Sequence, residues 1–516
     1  MAGIDFTSKT ITTNHLSLNG GLNSTSGPLN VKDNESSDLQ NIDFDKFGSV
    51  LKRGGYACLN TDSPFTGAST ESVDCLVWAE FTTAGSVTRE AVSIMGSKVY
   101  KMDNLDGTWD DVTGGVSITS GTPFDYEMYN TYLFMTNGSD VPIKYITGDT
   151  ASAAGIPTGL TEAKYVSQFN NYLFYGNVKV SGTSYPTRIY WSALRTPETF
   201  DSADWIEVSK NDGQEITGLK VLSDRLVVYK EKSIYNVFYT GDADIPFILP
   251  GGGKSNSPVG CIAPFSIQEV ENGHVFLSYD GIYYYDGMNS TRLSDRITTT
   301  ITGYNQTRLN QATSMVYKSK SRYLLALPSS GQTKNDRVIL WDYYNNAFSV
   351  YVGMSPSAMA AFYVSGYQER PYFGDYDGFV YRADTGRDDY PLNTQTAINS
   401  YYWTNWKTYD DLSNVKGIPH ASIYYQENSA TLTFSYSYDF EETPQYSNTI
   451  NMSGGTAVYG TAVYGTDVYS GAGGAVVRRD LTGRGRTIRF KFSNTTLAET
   501  FRIDGFGTSP HLETNI

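Results

Sequence analysis

The sequence has few cysteines, few histidines and little charge, and each shortage excludes a class of protein. Its three cysteines, Cys58, Cys75 and Cys261, are odd in number and have no CxxC spacing, so a disulfide framework is not expected. The four histidines are scattered without metal-ligand spacing, and no metal or cofactor is predicted. Charged residues make up only 18% of the chain, which is low for a globular protein. We expect buried free thiols in a reducing compartment.

Targeting segments and catalytic motifs are also missing. The N-terminus lacks the charged and then apolar pattern of a signal peptide, and no run of about 20 apolar residues exists, so membrane insertion is not expected. The nearest approach to a phosphate-binding loop is 251–255, which ends in Gly-Lys-Ser but has its first glycine too close. Neither a G-x-S-x-G elbow nor an H-E-x-x-H helix occurs. The sequence therefore predicts a protein that is not an enzyme and is made in a cytoplasm.

Aromatic residues are abundant, and they are arranged as short strands. The chain has 41 Tyr, 24 Phe and 49 Gly, which is typical of strands joined by many turns. In the stretch 273–294 the apolar run 275–277 is followed by a turn at Asp280-Gly281, a second run at 282–285 and a second turn at Asp286-Gly287. We interpret this stretch as a hairpin whose Asp-Gly pairs supply the positive φ of a tight turn. Helical periodicity is scarce, and only 34–41 is predicted to contain a short helical turn.

One signature, a turn followed by a β-branched residue and aromatics, recurs along the chain. Its copies are roughly 41 to 56 residues apart, near the length of one blade of a β-propeller. The pattern predicts an all-β protein, an irregular β-propeller of about seven blades, with a pair of β-sandwiches or a non-repeating β protein as alternatives. The copies are centred on Val99-Tyr100, Ile143-Lys144-Tyr145, Ile189-Tyr190-Trp191, Ile234-Tyr235, Ile282-Tyr283, Val338-Ile339 and Val380-Tyr381.

Changes of composition predict three segments. Residues 1–60 are predicted to be an extended N-terminal segment that docks on neighbours, residues 61–390 the β-propeller, and residues 391–516 a C-terminal β-sandwich-like module. The polar stretch 387–395 marks the second boundary. A short repeat of Thr-x-Val-Tyr, beginning at Thr456, Thr461 and Thr466, is interpreted as thin strands or an extended loop.

Two blocks of residues carry a resemblance to a known family. The first is Gly20-Gly21-Leu22-Asn23, Asp33-Asn34-Glu35, Asn41-x-Asp43-Phe44-Asp45-x-Phe47-Gly48 and Lys52-Arg53-x-Gly55; the second is Arg188-Ile189-Tyr190-Trp191-Ser192, Pro197-Glu198-x-Phe200 and Asp204-Trp205. In the first block, Ile42, Phe44 and Phe47 are expected to point inward; in the second, the two tryptophans are expected to fill space between blades. The chain resembles the nozzle or tail tubular protein B-like proteins of short-tailed phages, and it is similar to their packaged-DNA stabilisation proteins.

The resemblance implies a structural virion protein of the phage tail. Such a protein forms a ring, usually a hexamer, contacts the adaptor and other tail proteins, and extends and closes the channel through which genomic DNA passes. The net charge of −15 fits this role, because a broad DNA-gripping surface is usually basic. The alternative is a tail-associated receptor- or glycan-binding protein, and a β-propeller glycosidase is a third possibility.

The charge balance reverses near the C-terminus. Ile488, Phe490 and Phe492 alternate there with two of the basic residues, which predicts a strand with one apolar and one basic face. The basic residues are candidates for contact with a neighbouring subunit or with DNA, and the alternative is an ordinary solvated strand face. They are Arg478, Arg479, Arg484, Arg486, Arg489 and Lys491.

Overall fold

The computed structural model describes residues 13–59, 71–83, 85–103, 105–364, 368–453, 470–471 and 474–512. The repeat predicted at 456–466 lies outside these residues. Across the described part of the chain nearly all regular structure is β-strand, which confirms the all-β prediction. Not one of its helices is long and apolar enough to cross a membrane. The one α-helix among the described residues is Thr298–Thr302, and 3-10 turns lie at Pro250–Gly252, Pro264–Ser266, Asp295–Ile297, Gln306–Gln311, Lys318–Lys320 and Pro391–Asn393.

The chain divides into two compact units. The repeat unit comprises 57–338 and 354–384, and the sandwich unit comprises the described parts of 1–56, 339–353 and 385–516. Tyr56 and Asp384 lie close to the predicted boundaries at 60 and 390. The N-terminal residues, however, group with the C-terminal part of the chain.

The repeat unit is a succession of antiparallel sheets, each made largely of consecutive strands. The first four sheets are Val73–Thr83, Ser86–Met95, Lys98–Met102, Asp110–Asp111; Asp125–Tyr129, Tyr132–Thr136, Ile143–Tyr145, Ser152–Ala153; Leu160–Phe169, Tyr172–Val180, Thr183–Trp191, Trp205–Glu207; and Ile216–Leu222, Arg225–Lys230, Ile234–Tyr239, Phe247–Ile248. The fifth is Gln268–Val270, Gly273–Ser278, Gly281–Tyr285 and Ser290–Arg292. The sixth begins with Thr313–Tyr317 and Arg322–Leu327, after which Arg337–Asp342 and Ala347–Val352 follow in the chain. The seventh contains Ala358–Val364, Gln368–Gly374 and Val380–Ala383.

Each copy of the predicted signature falls in the third strand of its sheet. The β-branched residue that opens each copy is buried, as Val99, Ile189 and Ile282 illustrate, each with no exposed surface. Aromatic residues follow because a strand covered on both faces packs large flat side chains well. The recurring signature therefore predicted the position of the third strand in every sheet of the repeat unit.

The hairpin at 273–294 forms, but its first turn differs from the prediction. Ser278 pairs with Gly281, so the two-residue loop is Tyr279-Asp280 and Gly281 is already in the next strand. Gly287 has the expected positive φ of 98°, whereas Gly281 is not among the positive-φ residues. Glycine is needed at 281 for another reason: a Cβ there would lie 2.3 Å from Oγ of Ser294.

Apolar side chains join each sheet of the repeat unit to the next. Phe81 packs edge-on against Tyr145 of the second sheet, and Trp191 of the third packs against Phe247 of the fourth, as predicted for that tryptophan. Trp205 differs, because it is 37% exposed and stacks on Arg188 instead. Three core clusters of buried residues join the second sheet to the third, the third to the fourth, and the fourth to the fifth.

The last sheet of the repeat unit packs on the first. One core cluster contains Val73 and Met95 of the first sheet with Phe362 and Tyr372 of the seventh. The approach is close, since a Cβ on Gly374 would lie 2.4 Å from Cβ of Val73. The amide of Leu59, which follows the strand Tyr56–Cys58, donates to the carbonyl oxygen of Val380 at 2.8 Å. The start and the end of the unit are therefore joined.

The sandwich unit is made of two larger sheets. Phe490 of one sheet packs 5.2 Å from Phe506 of the other, and Ile488, Phe490 and Phe492 are all buried, as the alternation predicted. A small sheet of Lys416–Gly417, Arg484–Gly485 and His511–Leu512 adds to it. The seven-stranded sheet contains Thr13–His15, Ile42–Phe44, Val50–Lys52, His420–Gln426, Ser470–Gly471, Gly474–Asp480 and Arg502–Thr508; the five-stranded sheet contains Ser36–Gln40, Ser400–Thr404, Thr431–Tyr438, Tyr446–Asn451 and Ile488–Asn494.

The N-terminal motif supplies strands to this sandwich. The helical turn predicted at 34–41 is wrong, because Ser36–Gln40 is a strand that pairs with Ser400–Thr404 and gains ladder hydrogen bonds there. Ile42 and Phe44 are buried as expected, but Phe47 is 84% exposed. The amide of Phe47 bonds to the carboxylate of Asp45, so a turn there ends the alternation.

Arg53 of the same motif is buried within the sandwich unit. Its guanidinium makes a two-pronged ion pair with Asp389, at 2.6 and 2.8 Å, and donates to Oδ1 of Asn41 at 2.8 Å. Gly55 lies beside this pair, and a Cβ there would lie 1.9 Å from the carbonyl oxygen of Asp388. The motif residues therefore have packing roles, which explains their fixed spacing.

Candidate functional site

The innermost strands of the repeat unit surround a cavity of about 370 Å³. The first strands of six of the seven sheets contribute to its lining, and the third sheet is the exception. We call this space the axial cavity. Its carboxylate, lysine and histidine lining residues are Asp74, Asp125, Glu127, Lys220, Glu269 and His274.

One ion pair spans the axial cavity. Nζ of Lys220 lies 3.2 Å from Oδ1 of Asp125, whose Oδ2 accepts from the amide of Val166 at 3.0 Å. Glu127 is two residues further along the same strand. Burial raises the pKa of Glu127 to about 7, although the Lys220 ammonium opposes the shift. Near neutral pH the cavity therefore holds a carboxyl group that is part protonated.

Two more titratable groups line the axial cavity. Burial raises the pKa of Asp74 to about 6, even though its Oδ2 accepts from the amide of Gly121 at 2.7 Å. Burial lowers the pKa of His274 to about 4. The neutral ring lies between the hydroxyl of Tyr229, 2.9 Å from Nδ1, and the carbonyl of Val221, 3.0 Å from Nε2. Only Nε2–H can donate to that carbonyl, so Nδ1 accepts from the tyrosine.

The titratable groups of the axial cavity are spread around it. Throughout the described ranges, no three His, Cys, Asp or Glu side chains are grouped so that they could hold a metal ion. Sequence reasoning missed every residue of this cavity. The only available signal was the position of polar residues in the first strand of each repeat, as in Asp125-Tyr126-Glu127, and that signal becomes visible only after the repeats have been aligned.

The structure separates the six predicted basic contact residues. Arg478 and Arg479 are on Gly474–Asp480 of the seven-stranded sheet, whereas Arg489 and Lys491 are on Ile488–Asn494 of the five-stranded sheet. Arg484 is in the small sheet, and Arg486 follows it outside any strand. Exposed members of this set are Arg478, Arg484 and Arg486.

Arg489 and Lys491 form one layer over aromatic rings. The guanidinium of Arg489 lies 4.1 Å from the ring of Trp403 and 4.6 Å from that of Trp406, and it donates to the backbone carbonyls of Glu441 and Glu442. Nζ of Lys491 lies 4.4 Å over the ring of Tyr401. Burial lowers the pKa of both basic groups. Arg489 is buried, so it stabilises the sheet face and is not available to a partner.

Successive antiparallel sheets that pack face to face, with the last on the first, define a protein of the β-propeller class. A family model described as bacteriophage P22 Gp10, beta-propeller, matches residues 81–333. The predicted resemblance to phage DNA-stabilisation proteins is confirmed over these residues.

The solved structures that match this chain have low sequence identity to it. BamB from Moraxella catarrhalis is 11% identical, with 67% of this chain and 96% of that chain covered and a TM-score of 0.36. YCF48 from Cyanidioschyzon merolae is 8% identical, with 64% and 98% covered and a TM-score of 0.39. The computationally designed Ika8 protein is 12% identical, with 61% and 97% covered and a TM-score of 0.35. The comparison with curated proteins gave no match.

Proposed function

We propose that the chain is a nozzle or tail-tube component of a short-tailed phage tail. In this role it forms a ring of six copies that extends the DNA channel beyond the adaptor, retains packaged DNA and conducts it during ejection. The observation that carries the proposal is the match of residues 81–333 to the phage Gp10 propeller family. The protein is then made in the host cytoplasm and becomes part of the virion tail.

A closed propeller of seven blades is part of the proposal. Support comes from the seven third-strand signatures and from the core cluster that joins the first sheet to the seventh. Hydrogen bonds also join the fifth sheet to the sixth, since Nε2 of Gln268 donates to the carbonyl of Ser314 at 3.1 Å. A closed propeller leaves only short, protected sheet edges, which suits a rigid part of a DNA conduit.

The net negative charge of the chain favours passage of DNA over tight binding of DNA. With a net charge of −15, a ring of copies repels phosphates and provides no deep binding wells along the channel. The exposed arginines Arg478, Arg484 and Arg486 are local exceptions. We assign them to contacts with acidic surfaces of neighbouring copies or of other tail proteins.

The proposal is tested with phage particles assembled without this chain. Such particles are expected to package DNA and then lose it, so nuclease-protected DNA per capsid falls. Complementation with the intact chain restores retention and adds a ring density on the tail axis in electron cryo-microscopy. Particles that keep their DNA but fail to adsorb to cells would overturn the proposal in favour of a peripheral receptor-binding protein.

A further inference from the structure

The sandwich unit contains a second cavity, larger than the axial one, with a volume of about 640 Å³. Its lining comes from the first strand, from the segment before Ser36–Gln40, from the loop 405–411 and from the end of the described chain. We call it the sandwich cavity. A volume of this size is typical of sites for small organic ligands. Its apolar and aromatic wall consists of Leu29, Val31, Trp406, Tyr409 and Pro510.

Two buried polar side chains line the sandwich cavity, and each has one hydrogen-bonding atom without a partner among the described residues. His15 is 8% exposed and Asn405 is 5% exposed. Nε2 of His15 and Oδ1 of Asn405 have no partner among the described residues. The amide nitrogen of Asn405 is in use, because it donates to the carbonyl of Val31 at 3.0 Å and to Asp33 at 3.1 Å. Buried polar atoms are rarely left unpaired in folded proteins, so both atoms indicate a missing partner.

The protonation of His15 follows from its neighbours. Nδ1 lies 3.3 Å from Nζ of Lys407, a donor, so Nδ1 must accept and the ring hydrogen is on Nε2. Burial, together with the Lys407 charge, lowers the pKa of His15 to about 4, and the ring is neutral at physiological pH. A ligand must therefore offer an acceptor to His15 and a donor to Asn405.

The cations that line the sandwich cavity are already in use. Nζ of Lys407 donates to Oδ1 of Asp33 at 2.9 Å as well as to His15. Nζ of Lys416 donates to three backbone carbonyls, those of Asp411, Asn414 and Arg486. An anionic ligand would thus meet neither a free ammonium nor a positive field, because Asp33, Asp410 and Asp411 also line the cavity. The chemistry favours a neutral ligand.

We propose that the sandwich cavity binds a neutral saccharide. A sugar hydroxyl both donates and accepts, so it matches the two leftover atoms, and the C–H face of a pyranose packs against rings such as Trp406 and Tyr409. A peptide fits less well, because peptides are commonly held along a sheet edge. The strands that line this cavity are Thr13–His15, Lys416–Gly417 and His511–Leu512, none longer than three residues.

Binding is tested on the full-length chain by titration calorimetry with maltotriose and with triacetylchitotriose. Leu29→Trp fills the cavity from its rim, where Leu29 is 46% exposed, and is expected to abolish binding. Leu497→Trp is the matched control, since Leu497 is 48% exposed in the same unit and does not line the cavity. It should bind as the parent does, and both variants should keep the parent melting temperature.

A third variant tests the role of the Nε2–H donor of His15. His15→Phe keeps a ring to stack on Phe506, 4.7 Å away, and loses Nε2–H, so affinity should fall about fivefold, as expected for one hydrogen bond. Binding of neither trisaccharide, or equal binding by the Leu29→Trp variant, would overturn the proposal. Tighter binding of a neutral tripeptide than of either sugar would also overturn it. None of these results bears on DNA retention, so the proposed tail role is tested separately.

Discussion

The two units differ in how far apart their paired strands lie along the chain. In the repeat unit, partners are neighbours in sequence, as where Tyr129 pairs with Tyr132. In the sandwich unit, Thr13 pairs with Thr508 and Ser36 pairs with Thr404. Closing such long loops has an entropic cost before any contact forms, so we expect the sandwich unit to fold more slowly. Pairing between strands that are neighbours in sequence therefore gives the repeat unit its repeats. Pairing between distant strands means that the sandwich unit forms only when segments from the beginning and the end of the sequence come together.

The units also differ in how they use charge. The repeat unit keeps ionisable groups around a cavity, where the side chain of Lys220 is 32% exposed and that of its partner Asp125 is 9% exposed. The sandwich unit buries a complete ion pair, Arg53 with Asp389, with side chains only 2% and 6% exposed. A buried charge that loses its partner is much more costly than an exposed one, so removing the cation of an ion pair should cost much more stability at Arg53 than at an exposed pair.

The largest expected effect comes from Arg53→Met. The change leaves the Asp389 carboxylate buried without its cation and removes the hydrogen bond to Asn41, so the free energy of unfolding of the sandwich unit should fall by about 3–5 kcal/mol. Urea unfolding followed by tyrosine and tryptophan fluorescence measures this loss. The matched control is Arg89→Met in the repeat unit, where the pair with Glu80 is exposed and the loss should stay below about 1 kcal/mol. Equal losses would remove the distinction between the units.

Sequence patterns predicted the repeat unit well because its information is local. A turn, a β-branched residue and an aromatic residue are contiguous, and each copy identified a third strand, with Val99 and Ile282 as examples. The prediction that Phe47 points inward was wrong, because a turn stabilised by Asp45 ends the alternation of inward and outward side chains there. The prediction that Trp205 fills space between blades was wrong, because the stacked side chain of Arg188, and not a neighbouring sheet, covers its ring.

The sandwich unit and both cavities were less accessible to sequence reasoning. The pairing of Ser36–Gln40 with Ser400–Thr404 joins segments that share no local pattern. Similarly, Asp125 and Lys220 form an ion pair only because the second and fourth sheets line the same cavity. His15 contacts Lys407, which is 392 residues away in the sequence. Non-local geometry of this kind leaves no periodic signal.

The next largest effect is expected from Gly374→Ala, which tests whether the first and seventh sheets are closely packed. The added Cβ would lie 2.4 Å from Val73, a buried β-branched residue that cannot easily move, so the repeat unit should lose about 1–3 kcal/mol. Thermal unfolding by circular dichroism measures the loss. Gly115→Ala in the same unit has open space around it and should change stability by less than about 0.5 kcal/mol. If both variants behave alike, the two sheets do not pack as described.

A smaller effect, seen as pH dependence, is expected at the axial cavity. The pKa of Glu127 is raised to about 7 in the folded chain from the ordinary 4.5, so between these values the folded state holds the extra proton and stability falls as pH rises. His274, with its pKa lowered to about 4, acts in the opposite sense below its ordinary value of 6.5. Comparison with Glu127→Gln isolates the glutamate, since His274, Asp74, Asp125, Glu269 and Lys220 are common to both chains.

Relative to that variant, the parent should lose on the order of 1–2 kcal/mol between about pH 5 and pH 8, a value reduced for solvent in the cavity. Urea unfolding at each pH measures the difference. A difference that does not change with pH would mean that Glu127 titrates normally. In that case the axial cavity would behave as open water.

The smallest expected effect on stability is at the exposed basic residues. Among the described residues the Arg478 side chain contacts His420, at 3.1 Å, and more distantly Asp480, so Arg478→Ser should change the free energy of unfolding by less than about 0.5 kcal/mol. Arg489→Ser removes a buried guanidinium from two tryptophans and should cost several times more. If Arg478 instead binds an acidic neighbour, Arg478→Ser lowers incorporation into tails without a change in melting temperature. Unchanged incorporation would indicate a solvated strand face, and exposed charge in the sandwich unit would then matter as little as it does at Arg89.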